Sequence, residues 1–251
     1  MLYHLLYPLH TVFSSFNVFR YITFRTIYAA ITALLICFIV GPWLIRKLRS
    51  LHMGQPIRED GPSTHQVKEG TPTMGGVLII FAVVVSTLLW ANLRTDYIWL
   101  VILVTIAYGL IGFMDDYRKL ARRNSKGVPA KTRLGAEIAI ALFVSVILFL
   151  KPGFTSTLTV PFFKTVLPDL GWWYILLSTF IIVGSANAVN LTDGLDGLAS
   201  GAFALVMTAY ILISFTQFRN HTFLYSHVRG SLDVAIFCGS TMGACIGFLW
   251  W

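Results

Sequence analysis

Seven mostly apolar runs divide this chain: Tyr21–Ile45, Thr73–Trp90, Ile98–Met114, Leu134–Leu150, Trp172–Ala188, Leu198–Phe215 and Leu232–Trp251. Each is near the ~20 residues a helix needs to cross the hydrocarbon core of a bilayer. Composition agrees: 56% of residues are hydrophobic and 12% charged, against roughly 25% charged in soluble domains. The expected fold class is all-α, a polytopic transmembrane helix bundle of seven spans. It forms a single integral-membrane domain over residues 1–251. The short link Ala91–Tyr97 makes the second and third spans antiparallel neighbours, as in other bundles.

The chain carries a net charge of +8, and the placement of that charge argues against nucleic acid as a partner. Twelve of the 19 basic residues fall on one side of the seven-span layout: Arg46, Lys47, Arg49, Arg58, Lys68, Arg118, Lys119, Arg122, Arg123, Lys126, Lys131 and Arg133. The side richer in Lys and Arg is expected to be cytoplasmic, where it also meets anionic lipid and phosphate. The N-terminus is then outside. Met1–Arg20 is interrupted by Pro8, His10 and Asn17 and does not read as a cleavable signal peptide. Cys37, Cys238 and Cys245 all sit in apolar runs without metal-ligand spacing, which reads as buried packing.

Three polar stretches gather on the basic side. Asp115 and Asp116 end the third apolar run. Neighbouring carboxylates at a membrane edge repel each other and resist desolvation unless a cation offsets them. Side chains adjacent on a helix point about 100° apart, so the two acids cannot play identical roles. Mg²⁺ takes one or two carboxylates together with phosphate oxygens and water, and suits such a pair. The seven basic residues from Arg118 to Arg133 could attract phosphate, although positive-inside anchoring also accounts for that block.

The second stretch is Lys68-Glu-Gly-Thr-Pro72-Thr73-Met-Gly-Gly76. Pro72 suits the first turn of a helix and Thr71 its cap. A helix N-terminus with Lys68 beside it favours phosphate. The third is Asn187-Ala-Val-Asn190-Leu-Thr-Asp193-Gly-Leu-Asp196-Gly-Leu. On a continuous helix its four polar side chains would cover about half the circumference. Gly194 and Gly197 are expected to end that helix. The set suits hydroxyls, a pyrimidine edge or metal-bound water. Helix-end capping is the plainer account of any single member. Glu137, one turn beyond Arg133, reads as its i, i+4 salt-bridge partner.

KEGTPTMGG (68–76), GFMDDYRK (112–119), VPFFK (160–164) and NAVNLTDGLDGL (187–198) together resemble the MraY family. These are the phospho-N-acetylmuramoyl-pentapeptide transferases, within the polyprenyl-phosphate N-acetylhexosamine-1-phosphate transferase superfamily. The order and spacing match along the whole chain. The resemblance implies a Mg²⁺-dependent phosphoglycosyl transferase of the bacterial cytoplasmic (inner) membrane, with its site facing the cytoplasm. It implies transfer of phospho-MurNAc-pentapeptide from UDP-MurNAc-pentapeptide to undecaprenyl phosphate, giving lipid I and UMP in peptidoglycan synthesis. Membrane lipid and a second copy of the chain, as a homodimer, complete the expected partners.

Carried over by motif, Asp115 and Asp116 are the catalytic pair, with Asp116 assigned to the metal. Lys68, Thr73, Lys119, Arg133, Asn187, Asn190, Asp193 and Asp196 line the substrate site. Arg133 stands where the family often has Lys, and a guanidinium is not interchangeable with a compact ammonium. The family fold has ten membrane helices and a third acidic ligand after this point, followed by a His-rich motif; the chain contains neither. The run ending at Trp251 therefore reads as truncated, and the chain by itself is expected to be inactive. The alternatives are a UDP-GlcNAc:polyprenyl-phosphate GlcNAc-1-phosphate transferase and a membrane transporter or scaffold. A transporter would place its carboxylates near the midplane, whereas these gather at one face.

Overall fold

The structure, a computed structural model, describes residues 1–50, 74–121, 127–158, 160, 166–192, 197–219 and 230–251. A short helix α1 (Leu2–Leu6) and two 3₁₀ segments (Tyr7–Thr11, Ser14–Arg20) precede seven long apolar helices. These are α2 (Ile22–Ser50), α3 (Gly76–Trp90), α4 (Asp96–Ala121), α5 (Ala130–Phe149), α6 (Trp173–Thr192), α7 (Leu198–Arg219) and α8 (Ser231–Phe248). They correspond one to one with the seven apolar runs. Five of them contain stretches long and apolar enough to cross a membrane; Gly76–Trp90 and Leu232–Phe248 are shorter apolar stretches. The protein is a multi-pass membrane protein, and its surface shows it. Ile39, Phe180 and Leu205 are each at least 74% exposed, which a lipid-facing side chain tolerates and a water-facing one in such numbers does not.

Several boundaries differ from the sequence reading. Helix α4 continues past Met114 to Ala121, so the acidic pair lies within the helix. Helix α3 begins at Gly76, with Gly75 in its N-cap. Pro72 therefore does not open it: Met74 has φ 72, a left-handed backbone that breaks helical continuity. Helix α6 is described to Thr192 and α7 from Leu198, with Gly197 at φ 79 just before it, while Asp193 and Asp196 of the Asn/Asp ladder lie outside the described residues. Helix α8 stops at Phe248 rather than Trp251. The N-terminal segment has its own helical turns, which no clean periodicity announced.

The core is built on α2 and α8, which run parallel. Gly239, Gly243 and Gly247 recur every fourth residue on α8 and press against α2. A Cβ at Gly239 would lie 2.8 Å from Thr26 O, one at Gly243 2.7 Å from Ala30 C, and one at Gly247 2.8 Å from Cys37 Cβ. Thr26, Ala30, Leu34 and Cys37 on α2 meet this stripe, and Ala29, Ala33 and Cys37 are completely buried. In lipid, where no hydrophobic effect pulls helices together, such close backbone approach supplies the packing energy. All three cysteines are free and buried, as expected from their positions.

One end of the bundle is closed by a buried ion pair. Arg25 on α2 is 3% exposed and lies 3.6 Å from Asp233 on α8. The guanidinium also donates to Trp90 O and stacks on the Tyr3 ring at 4.3 Å. Asp233 accepts from Thr95 at 2.7 Å, and the chain's amino terminus donates to Leu88 O and Leu89 O. Nearby, Lys151 pairs with Asp96 at 2.8 Å and ties the end of α5 to the start of α4. The opposite end carries Arg46, Lys47, Arg49, Arg118, Lys119, Lys131 and Arg133, together with the acidic pair.

Gly243→Ala should lower stability by about 1–3 kcal/mol, the usual cost of overpacking. A Cβ at Gly201 on α7 meets nothing within 4 Å, so Gly201→Ala should leave the unfolding temperature unchanged or slightly raised. Thermal unfolding in detergent distinguishes the two.

Candidate active site

The acidic pair occupies the last two turns of α4, and its members have different surroundings. Asp115 turns inward, with its side chain 13% exposed, and Lys119 reaches its Oδ2 at 2.6 Å. Its other oxygen, Oδ1, accepts from the backbone N–H of Val128 at 2.7 Å. That bond draws the segment entering α5 against the end of α4. Gly127 makes the approach possible, since a Cβ there would sit 2.8 Å from Asp115 Cγ and collide with its carboxylate oxygen. Asp116 is more open, at 34% side-chain exposure, and meets Lys119 only at 3.4 Å. The two acids thus differ in surroundings: one is clamped on both oxygens and the other meets Lys119 at the longer distance.

Pro129 supplies the cap position of α5 with an extended backbone (φ −54, ψ 134). Arg133 then falls one turn into the helix, and its charge also acts on Asp115. Arg133 Nε donates to Glu137 Oε1 at 2.9 Å, the i, i+4 pair read from the sequence. The sequence reading missed the rest of that cluster. Glu137 is 2% exposed, and its second oxygen accepts from Asn187 Nδ2 on α6 at 2.6 Å. Tyr108 on α4 donates to the Glu137 backbone carbonyl at 2.9 Å. The available signal was a carboxylate inside an apolar span, which needs more than one partner. Gly127 and the Val128 amide carried no comparable signal.

The described residues therefore bring together Asp115, Asp116 and Lys119 on α4, Arg133 and Glu137 on α5, and Asn187 on α6. Asn190 is exposed, one turn further along α6. Lys68, Thr73, Asp193 and Asp196 lie outside the described residues, as do all of VPFFK except Val160.

Among the described residues no group of three or more His, Cys, Asp or Glu converges as a ready-made metal cage. The donor set still fits a divalent cation of the Mg²⁺ type. Such an ion takes one or two carboxylates and completes its shell with phosphate oxygens and water. Asp116 has the free lone pairs for that; Asp115 has its oxygens occupied. Chemically, the cluster offers an anchored ammonium, an open carboxylate and a guanidinium side by side, an arrangement suited to phosphorylated anions.

The family profile described as glycosyl transferase family 4 matches residues 98–251. Residues 68–80 match the phospho-N-acetylmuramoyl-pentapeptide-transferase signature 1. Three relatives carry the name phospho-N-acetylmuramoyl-pentapeptide-transferase. The one from Syntrophus aciditrophicus is 68% identical over 254 residues, covering all of this chain and 71% of the relative. Those from Pelobacter propionicus and Desulfotalea psychrophila are each 52% identical, again over the whole chain and over 71% and 70% of their own lengths.

Proposed function

The chain belongs to the phospho-N-acetylmuramoyl-pentapeptide-transferase family, and from that premise we propose how its own residues perform the reaction. It is a transferase of peptidoglycan synthesis, moving phospho-MurNAc-pentapeptide from its UDP carrier to undecaprenyl phosphate and giving lipid I and UMP. The unequal acidic pair around Lys119 is the observation that best supports a phosphoryl-transfer site here. The site faces the cytoplasm of a bacterial inner membrane, the side on which the Lys and Arg excess predicts it.

Two phosphorylated anions have to meet, so charge repulsion is the main barrier for the protein to lower. An oxygen of the lipid phosphate attacks the β-phosphorus of the UDP-sugar. A new P–O bond forms to the lipid, the bond to the bridging oxygen breaks, and its electron pair leaves with UMP. Lys119, held by Asp115, presents one positive charge to these phosphates, and Arg133 presents a second. Asp115 thus acts mainly as the orienter of Lys119 and of the Val128 segment. Asp116, the more open of the two acids, would hold Mg²⁺ directly or through a bound water. Mg²⁺, when bound, would neutralise phosphate charge and fix the orientation of the transferring group.

Lys68, Thr73, Asn190, Asp193 and Asp196 are proposed to line the sugar-nucleotide side of the site. A donor specific for UDP-GlcNAc is the competing substrate, and a labelled donor separates the two readings. Transfer from UDP-MurNAc-pentapeptide with no transfer from UDP-GlcNAc is expected, and the reverse pattern would refute the muramoyl assignment.

Three further outcomes follow for the full-length enzyme. Asp115→Asn should reduce turnover by about 10²-fold or more by releasing Lys119 and the Val128 segment; near-normal UMP release would refute the orienting role of Asp115. Gly127→Ala should cut turnover roughly 10-fold or more by displacing the Asp115 carboxylate, with lipid I formation as the readout. Chelation of divalent metal should abolish transfer, and added Mg²⁺ should restore it.

A further inference from the structure

Glu137 is a carboxylate two turns inside a membrane-spanning helix, and the reaction as described does not use it. Burying an ion there costs several kcal/mol unless its partners are good. Its partners are good and they differ in kind. Arg133 from its own helix donates to Oε1 at 2.9 Å, and Asn187 from α6 donates to Oε2 at 2.6 Å. Asn187 Nδ2 also donates to Val183 O, one turn back on α6, at 2.9 Å.

These bonds determine which way the Asn187 amide points. Both neighbours of its nitrogen, a carboxylate and a backbone carbonyl, are acceptors only, so the nitrogen rather than the oxygen must face them. An amide nitrogen carries two hydrogens, and both are engaged inside the bundle. Oδ1 is the part left for anything outside, and it can only accept. Asn187 opens the NAVNLTDGLDGL stretch and is half-buried beside the exposed Asn190.

We propose that Glu137 is a positioning residue: it locks the Asn187 amide so that Oδ1 presents an acceptor to a hydroxyl or N–H of the sugar nucleotide. This rests on the transfer reaction described above and adds a residue and a polarity to it. An acceptor-only group also selects against the wrong approach. A phosphate oxygen brought to Oδ1 would find no donor, so phosphates are directed to Lys119 and Arg133 and the hydroxyl-bearing part of the ligand to α6.

The test is a four-member cycle in the full-length enzyme: wild type, Glu137→Gln, Asn187→Asp and the double variant. Each is measured for binding of UDP-MurNAc-pentapeptide alone and for KM and kcat of transfer. Glu137→Gln leaves one acceptor oxygen for two donors; the charged, donor-only Arg133 takes it, so the new NH₂ faces Asn187, which must flip and turn its own NH₂ outward. The donor's Kd and KM should rise about 10-fold, with kcat within about 3-fold. Asn187→Asp sets two carboxylates against each other and should do at least as much damage. In the double variant the amide introduced on α5 donates to the carboxylate introduced on α6. An acceptor then faces the ligand again, and Kd should return to within about 3-fold of wild type.

A variant that merely folds poorly loses active fraction, which lowers kcat and leaves KM in place. A Glu137→Gln enzyme with unchanged Kd and KM, or a double variant no better than the worse single, overturns the proposal. A wild-type enzyme that binds the donor but transfers nothing from it refutes the reaction, while the pattern of Kd across the cycle still decides the role of Glu137. A wild type that binds no donor overturns both.

Discussion

An ionised side chain carried into a hydrocarbon layer needs a partner of opposite charge or a set of hydrogen bonds beside it, and that constraint organises this protein. Arg25 is held by Asp233, Trp90 O and the Tyr3 ring; Glu137 by Arg133 and Asn187; Asp115 by Lys119 and the Val128 amide. Each cluster joins elements that are not neighbours along the chain or are joined by a loop. The first ties α2, α3 and α8 to the N-terminal turn. The other two tie α4 to α5 and α5 to α6. The costs of burying charge are thus offset at the points where the helices need fixing. Removing one partner would leave the other charged and unpaired in a medium that penalises it.

Close packing takes over where charge is missing. The stripe Gly239, Gly243 and Gly247 lets α8 lie against α2 at near backbone contact, and most side chains on the outer faces are left to lipid. Helices α2 and α8 run parallel, which an odd number of crossings requires of the first and last. The Asp115 cluster hangs from α4, α5 and α6 at the side of this pair. It is organised by hydrogen bonds to a few polar groups instead of by a tight core. Helix α6 leaves many large side chains exposed, Phe180 at 75% among them.

The spans were legible in the sequence because lipid forces long apolar runs with basic flanks, a signal that survives without any knowledge of packing. Asp115 and Asp116 stood out in the sequence for the same reason, since two acids at a membrane edge demand an explanation. Boundaries were less so. Helix α4 runs past the apolar stretch because a helix does not end where hydrophobicity does, and Asp115 to Ala121 are good enough helix residues to continue it. Helix α3 starts later than Pro72 indicated because Met74 adopts a left-handed backbone. The Glu137–Asn187 bond was hidden for a different reason. Fifty positions separate the two residues, and the i, i+4 pair with Arg133 already accounted for the charge.

The two ends of the bundle solve the same electrostatic problem to opposite effect. At the Arg25 end the ion pair is walled in by α2, α3, α8 and the amino-terminal turn, which makes a lock. At the Asp115 end the clamp covers only one acid of the pair. Asp116 and Asn190 stay open, and Lys119 keeps a third of its side chain exposed while bonded to Asp115. A residue clamped on both oxygens makes a poor base and a good anchor, whereas an open carboxylate next to it can take a metal ion. The difference follows from the closer approach of Lys119 to Asp115 and from the passage of Gly127 and Val128 across that residue. A glycine with no side chain to obstruct it thereby gives two otherwise identical acids different surroundings.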